Sequence, residues 1–358
     1  MFEASPGYTL IGSDFSAQEP RILAYYTQDE HMIDAFRRGR DLYATIGTKV
    51  YHNSYEDNLE FNPKTGERQE DGAKRRSKCK VVQLAISYGM TVSSLAKSIK
   101  SSVKDAQAVL DSFYDGFPAV KRWKDDTIAS CHRKGYVEDW AGRRRRLPDI
   151  MLPKYEVKGE GNGEFNPFLG CHDRELDPKV REKWLARMDK AKSYAQAQDV
   201  RADAKAAGIE ISSNVSKING AERQCVNSRV QGGAASMTKH AMAAIANDPE
   251  LNRLGFRLLI QVHDEVIGEA PEENAKEAAD RLTYVMSHCM DGIFNVPFKC
   301  DADVSRHWYW NVYSATLRDE YSRMMSGGMA ADEAFSRLCA DHEESTEDDV
   351  RKALDETE

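Results

Sequence analysis

The stretch Leu258–Ala270, LLIQVHDEVIGEA, sets His263, Asp264 and Glu265 into an apolar run with no Gly, Pro or Asn beside them. The flanks Leu258-Leu259-Ile260 and Val266-Ile267 predict a strand, a turn and a second strand. Carboxylates in such a run are costly to bury unless a cation offsets them. A second β-rich segment, YTLIGSDFSA (Tyr8–Ala17), ends near Asp14. Antiparallel strands about 4.8 Å apart bring such residues together. A pair of Mg²⁺ ions about 3.5–4 Å apart relieves the repulsion and supports in-line phosphoryl transfer. The plainer alternative makes Asp264 a turn residue and Asp14 the cap of a helix starting near Ser16. Asp14 alone favours the cap; the charges inside QVHDEV favour a site.

In KRRSKCKVVQLAISYGMT, Arg76, Lys80, Leu84 and Tyr88 recur at i, i+4, i+8 and i+12. On a helix they share one face, running from two cations through an apolar plate to an aromatic ring. That face is a mould for a nucleoside triphosphate, with phosphates on Arg76 and Lys80 and the base against Leu84 and Tyr88. Cations near a helix N-terminus are disfavoured unless an anion sits there. A solvated basic turn followed by core residues fits the spacing equally well. In ERQCVNSRVQGGAASM, Arg223, Asn227 and Gln231 form a polar stripe, and Gly232-Gly233 permits close backbone approach. Amide and guanidinium donors suit the acceptors that every base pair shows in the minor groove. The alternative there is an exposed helix face.

The chain has 358 residues and a net charge of −8. From Asp319 to Glu358 it carries 13 acidic and 4 basic residues, a net of −9, so the remainder stands at +1. The basic residues cluster in KRRSKCK (Lys74–Lys80) and GRRRRLP (Gly142–Pro148). The global charge therefore says little about partners; the local fields say more. Seven cysteines, odd in number and with no CxxC pair, read as reduced thiols of a cytosolic protein. No apolar run is long enough to span a membrane, and MFEASPGYTL lacks a signal pattern.

Helices are expected over Glu19–Tyr51 and, as a consecutive series, over residues 73–134. YVEDWAGRRRRLPDI reads as a hairpin or tight loop around Ala141-Gly142. From Met151 to Gly220 a Gly/Asn/Pro-rich piece, GEGNGEFNPFLG, precedes charged helical stretches, which suggests an inserted surface subdomain. Further helices are expected from Ala221 to about Ala246 and over residues 271–292, with FKCDADVSRHWYW as a last strand. The acidic, helix-prone tail is expected to be solvated.

Taken together the motifs resemble those of family A DNA polymerases, the bacterial DNA polymerase I group and its phage relatives. DFSAQEPR (residues 14–21) is similar to the first family motif, RSKCKVVQLAISYG (76–89) to the nucleotide-binding helix, and QVHDE (261–265) to the final motif. GFPAVKRW, KGYVEDWAGRRRRLPD and NSRVQGGAAS follow in the family's order. The resemblance implies an α+β fold, a palm of antiparallel sheet with helices plus a mainly helical fingers subdomain, without thumb or exonuclease domains. The palm would take residues 1–27 and 221–318, the fingers 28–150, an insertion 151–220 and the acidic tail 319–358.

The same resemblance implies template-directed DNA synthesis, in which two Mg²⁺ ions (Mn²⁺ as an alternative) mediate attack of a primer 3′-hydroxyl on a dNTP. Asp14, Asp264 and the Phe15 carbonyl would hold metal, with Glu265 an accessory carboxylate at the primer end. Glu19 would be the gate against a ribose 2′-hydroxyl, with Tyr88 beside it, and Arg76 and Lys80 would grip the triphosphate. Arg223, Asn227, Gln231 and His263 would hold template–primer DNA. Leu84 stands where the family usually has Phe or Tyr; Tyr43 stands where Asp-Ile-His is common, so in the nucleotide site one phosphate donor becomes a phenol; and Ala17 and Pro20 stand where the first motif has Gln and Leu.

Only thirteen residues precede Asp14. A separate chain supplying thumb and exonuclease is one expectation, and the insertion hints at a phage-type enzyme in a host cytoplasm. Two alternatives stand beside synthesis: a non-catalytic template–primer-binding remnant, and a single-subunit RNA polymerase, which Glu19 with Tyr88-Gly89 disfavours.

Overall fold

The computed structural model describes residues 3–159, 165–166, 171–172, 176–306, 308, 310–342 and 346–355. Most of GEGNGEFNPFLG, with the side chain of Cys171, lies outside the described residues. The chain divides into two units, Met1–Ser16 with Met237–Ile293 and Phe298–Glu358, and Ala17–Ser236 with Phe294–Pro297.

The first unit is built on β1 (Tyr8–Phe15). Leu10, Ile11, Ser13 and Phe15 of this strand are buried. The other strands of its sheet are numbered from the chain order: β8 (Arg257–Val262), β9 (Glu265–Pro271) and β10 (Cys300–Ser305). Their order is β10-β1-β9-β8, with every neighbouring pair antiparallel. Helix α12 (Ala275–His288) repeats Ala275, Ala278, Ala279, Leu282, Val285 and Met286 as one buried stripe and packs on β1 and β10. Short helix α11 (Pro249–Arg253) is capped by Asp248, which accepts from the Glu250 and Leu251 amides. Arg281 of α12 holds the same carboxylate at 2.6 and 3.0 Å.

β8 departs from its expected setting. It is a sheet edge with a register irregularity between Leu258 and Ile260, and Leu259 is 48% exposed. A bulge on an edge strand interrupts the unpaired ladder, which is how an apolar edge avoids pairing with other chains.

The acidic tail is also more ordered than its composition suggests. Helices α13 (Trp310–Ser326), α14 (Ala331–Asp341) and α15 (Glu347–Asp355) share a core of Leu317, Leu338, Val350 and Ala353. Four buried apolar groups supply the packing. The expected division at residue 318 falls inside α13.

The second unit opens with α1 (Gln18–Thr27), α2 (Glu30–Arg37) and α3 (Leu42–Tyr51). The region 73–134 is indeed a helical series: α4 (Glu70–Ser87), α5 (Val92–Ser98), α6 (Val103–Gly116) and α7 (Pro118–Lys134). Start signals are local and legible. Asp29, Asp41, Thr91 and Ser102 each accept a backbone amide at an N-terminus, and Pro118 opens α7. Leu23, Met32, Phe36, Ile46, Val82, Ile86, Leu95, Phe113 and Phe117 form the shared core.

Strands β2 (Tyr136–Glu138) and β3 (Arg144–Arg146) make the expected hairpin. The insertion holds β4 (Tyr155–Gly159), β5 (Phe165–Asn166), β6 (Cys171–His172), α8 (Pro178–Lys190), α9 (Tyr194–Ala206) and β7 (Ile209–Ser213). β4 pairs antiparallel with β7, and Val157, Trp184, Met188, Ala204, Ile209 and Ile211 form a core of their own. Helix α10 (Val215–Asn247) begins earlier than the expected Ala221, and its residues beyond Ser236 belong to the first unit.

Among the described residues no helix is long and apolar enough to cross a membrane. The described cysteines are all free thiols.

Candidate active site

In the first unit, strand register sets three acidic residues in one row: Glu265 on β9 and Asp301 on β10 both stand opposite Asp14 on β1. Facing residues on neighbouring strands point to the same side of the sheet, so the carboxyls share a face. Asp303 lies two residues from Asp301 and opposite Gly12. A side chain at Gly12 would meet Glu265 Oε1 at 3.3 Å, so the strand is kept bare where that carboxylate lies.

Asp264 arrives by a different route. Val262 pairs with Glu265, leaving His263-Asp264 as a two-residue turn between β8 and β9. His263 has φ 56°, a positive value at the first central position, where such turns usually need Gly. A side chain held there stores strain of the kind that clusters at functional sites. The Asp264 carbonyl accepts from the Phe15 amide at 3.4 Å, which ties the turn to the end of β1. Asp264 is thus a turn residue. Asp14, in contrast, is no helix cap: α1 starts from Ala17 in a left-handed conformation with no side-chain cap.

Burial pushes the Asp14 carboxyl up, and the negative charges of Asp264, Asp301 and Asp303 push the same way against a backbone hydrogen bond. Glu265 is raised chiefly by burial, with Asp14 and Asp264 adding to it, while a hydrogen bond from Trp308 lowers it. Trp308 Nε1 donates to Glu265 Oε1 at 3.3 Å. A cation at this face would reverse the sign of that balance.

Among the described residues no three His, Cys, Asp or Glu side chains form a ready cage for a metal. Two carboxylates and a carbonyl are still the donor set that suits Mg²⁺. That ion is commonly held by one or two carboxylates and completes its shell with water and substrate phosphates. The self-repelling carboxylates around Asp14 fit it.

In the second unit, the α4 face is half open: Lys80 is exposed, and Arg76, Leu84 and Tyr88 are half-buried. Arg76 is held by Asp41 at 2.8 Å and approaches Glu60 at 3.9 Å, with its guanidinium 5.4 Å from the Tyr43 ring. Asp41 also caps α3 through the Ala44 amide. Burial raises the Tyr43 phenol, with Asp41 adding to it and Arg76 opposing. Lys80 makes no ion pair among the described residues.

Tyr88 donates to Glu19 Oε2 at 3.0 Å. Its phenol is raised by burial and by Glu19, against a hydrogen bond with Gln231 that lowers it. Glu19, Tyr88 and Gln231, separated widely in sequence, therefore meet. Arg223 lies against Gly89, whose φ is +63° and where a Cβ would sit 3.0 Å from Arg223 Cγ. The Asn227 Oδ1 is buried and lacks a hydrogen-bond partner among the described residues.

Sequence reasoning did not single out Asp41, Trp308, Asp301 or Asp303. The alternation in CDADVS was the available signal for the last two, since period two places both acids on one face. Nothing local marks Trp308 as the partner of Glu265.

The architecture is that of a polymerase domain. It shares its fold with the POL domain of Pol1 from M. smegmatis, solved with DNA primer-template and dNTP, at a TM-score of 0.59 and 21% identity over 86% of this chain and 41% of that one. The sequence matches DNA polymerase family A over residues 1–164 and 179–310, and the chain belongs to that family. It is 30% identical over 324 residues to the chloroplastic/mitochondrial DNA polymerase I A of Arabidopsis thaliana, covering 86% of this chain and 25% of that protein. DNA polymerase I of Geobacillus stearothermophilus is 27% identical over 306 residues, 86% of this chain and 26% of its own length. The thermostable DNA polymerase I of Thermus aquaticus is 27% identical over 309 residues, 86% and 28% respectively. The chain thus spans about a quarter of the length of these relatives.

Proposed function

We propose that the chain carries out template-directed DNA synthesis, moving a deoxynucleotidyl group from a dNTP to a primer 3′-hydroxyl. The 3′-oxygen bonds to the α-phosphorus as the bond to the β-phosphate bridging oxygen breaks. The hydroxyl proton is lost, and pyrophosphate leaves. The observation that carries this assignment is the row of Asp14, Glu265 and Asp301 on one face of the sheet, with the Asp14 carboxyl raised, in a family A chain. Asp14, Asp264 and the Phe15 carbonyl would hold Mg²⁺, or Mn²⁺ in its place. Two such ions, when bound, supply Lewis acidity at the attacking and leaving oxygens.

The protein's own groups then divide the work. Arg76 and Lys80 neutralise the triphosphate, a role for which Lys80 is free and Arg76 must exchange Asp41 for phosphate. Leu84 gives the base an apolar plate. The Glu19 carboxylate, fixed by Tyr88, stands against a 2′-hydroxyl. Arg223, Asn227, Gln231 and His263 offer donors to template–primer DNA, and Trp308 fixes Glu265 for the primer end. In this assignment the palm comprises 1–27 and 221–318, and the fingers 28–150.

Primer extension with Mg²⁺, comparing dNTPs with NTPs, tests it. Asp264→Ala is expected to lower the rate by at least about 10³-fold, the scale of several kcal/mol that a metal site supplies. Incorporation that survives the change would sink the metal assignment. Because the chain spans about a quarter of its relatives, a second outcome is activity that appears only when a thumb-bearing partner is added.

A further inference from the structure

One cleft in the second unit belongs to none of these roles. It has a volume of about 550 Å³ and is lined by residues including Tyr26, Arg122, Trp123, Thr127, Arg133 and Arg229. A smaller cavity of about 140 Å³ adjoins it, sharing Thr127, Ser130 and Arg229 and reaching Lys134 and Tyr136. Arg229 of α10 forms the common floor. Its guanidinium lies 4.5 Å from the Tyr26 ring and 5.4 Å from the Trp123 ring, and those rings are stacked at 5.7 Å.

The cation is poorly compensated. It donates to Thr127 Oγ1 at 3.0 Å, but no carboxylate pairs with it among the described residues. Arg229 Nε and Trp123 Nε1 are both buried without a hydrogen-bond acceptor. Two buried donors without partners among the described residues, beside one cleft, are unusual, because each such group loses its water without replacement. At the rim Arg122, Arg133 and Lys134 are exposed and form no ion pair among the described residues, whereas Asp126 is the acid beside them. The acid of the smaller cavity, Glu138, is occupied by Arg144 at 2.5 Å.

We infer that this cleft binds the phosphodiester backbone of an unpaired nucleic-acid strand. Spacing favours a polyanion over a single anion. Arg122 and Arg133 lie eleven residues apart on α7, which is roughly 16 Å along one helix face. One phosphate cannot reach both, whereas a strand carries a charge at least every few ångströms. Cations alternating with aromatic rings are also the composition of single-strand grooves. That the strand is the unpaired template rests on the polymerase assignment above.

The test is binding of a labelled oligothymidylate of about 20 nucleotides over a range of salt, with a blunt duplex and inorganic pyrophosphate as comparisons. The doubly substituted R122Q/R133Q protein changes only exposed side chains, so its melting temperature should hold. Its oligothymidylate affinity should fall about tenfold, the effect of roughly 1.4 kcal/mol. Its salt slope should flatten by about 0.7 for each phosphate no longer neutralised, and blunt-duplex affinity should move far less. Arg229→Met should show the same loss. Unchanged affinity and slope in R122Q/R133Q, with only Arg229→Met losing stability, would overturn the proposal and leave Arg229 as a strut between helices. Pyrophosphate binding that the oligonucleotide does not compete would overturn it in favour of a free-anion pocket. Asp264→Ala, which tests the polymerase assignment, should leave oligothymidylate binding intact, so the two can fail separately.

Discussion

At the scale of single residues, the acids around Asp14 act against the stability of the unligated fold. Glu265 and Asp301 face Asp14 from both neighbouring strands, and Asp14 is raised by burial and by nearby negative charges. Asp14→Asn should therefore abolish extension while leaving the metal-free protein as stable as before or more so, read by thermal melting without divalent ions. A clear drop in melting temperature would mean that Asp14 serves the fold. The sign follows from linkage: a raised carboxyl favours folding below its unfolded value and loses that contribution as pH rises through the folded one. A second expectation concerns Tyr88. Its hydroxyl donates to Glu19, and a hydrogen bond to a charged group is worth about 1.5–3 kcal/mol. Tyr88→Phe should remove one of the contacts that position Glu19 and reduce dNTP-over-NTP preference by about tenfold. A preference unchanged from wild type would remove Tyr88 from the gate.

At the scale of elements, Asp248 shows how one side chain holds two helices. It caps α11 and receives both guanidinium hydrogen bonds of Arg281 on α12. Those bonds hold its carboxyl below the usual range. The stability it contributes is thus present above its unfolded value of about 3.9 and is lost as pH falls through the lower folded value. Asp248→Ala should cost about 2–3 kcal/mol at neutral pH, and less in acid. Equal losses in chemical denaturation at pH 7 and in strong acid would refute the charge-based account. The helical series from α4 to α7 and the hairpin turn at Asp264 were readable in the sequence; the one cap it offered, Asp14, is none, because α1 starts from Ala17. The setting of β8 was not. Its run Leu258-Leu259-Ile260 has the apolar content of a central strand, but only the sheet order and the bulge reveal an edge. The site divides similarly. Period four placed Arg76, Lys80, Leu84 and Tyr88 on one face, whereas the bond between Asp41 and Arg76 spans 35 positions and leaves no local pattern.

At the scale of the whole chain, composition misled where cores are small. The tail's net of −9 hid Leu338, Val350 and Ala353, because a few buried side chains suffice for short helices and contribute little to an average. The insertion carries the sharper consequence. Its ends are closed by β4 against β7, and the Asn214 amide donates to the Lys154 carbonyl at 3.0 Å. Among the described residues, its core of Val157, Trp184, Met188, Ala204, Ile209 and Ile211 draws on none outside the insertion. Removing residues 155–213 and joining Lys154 to Asn214 through a Gly-Gly turn should therefore leave a folded protein that still extends primers. Trp184→Ala, by contrast, opens a cavity at a side chain that is 6% exposed, at a cost of about 3–5 kcal/mol. That cost should appear in calorimetry as an early transition of the insertion, with the main transition unmoved. A single transition that shifts as a whole in Trp184→Ala, or an insoluble deletion variant, would show that the insertion folds as one cooperative body with α1–α7.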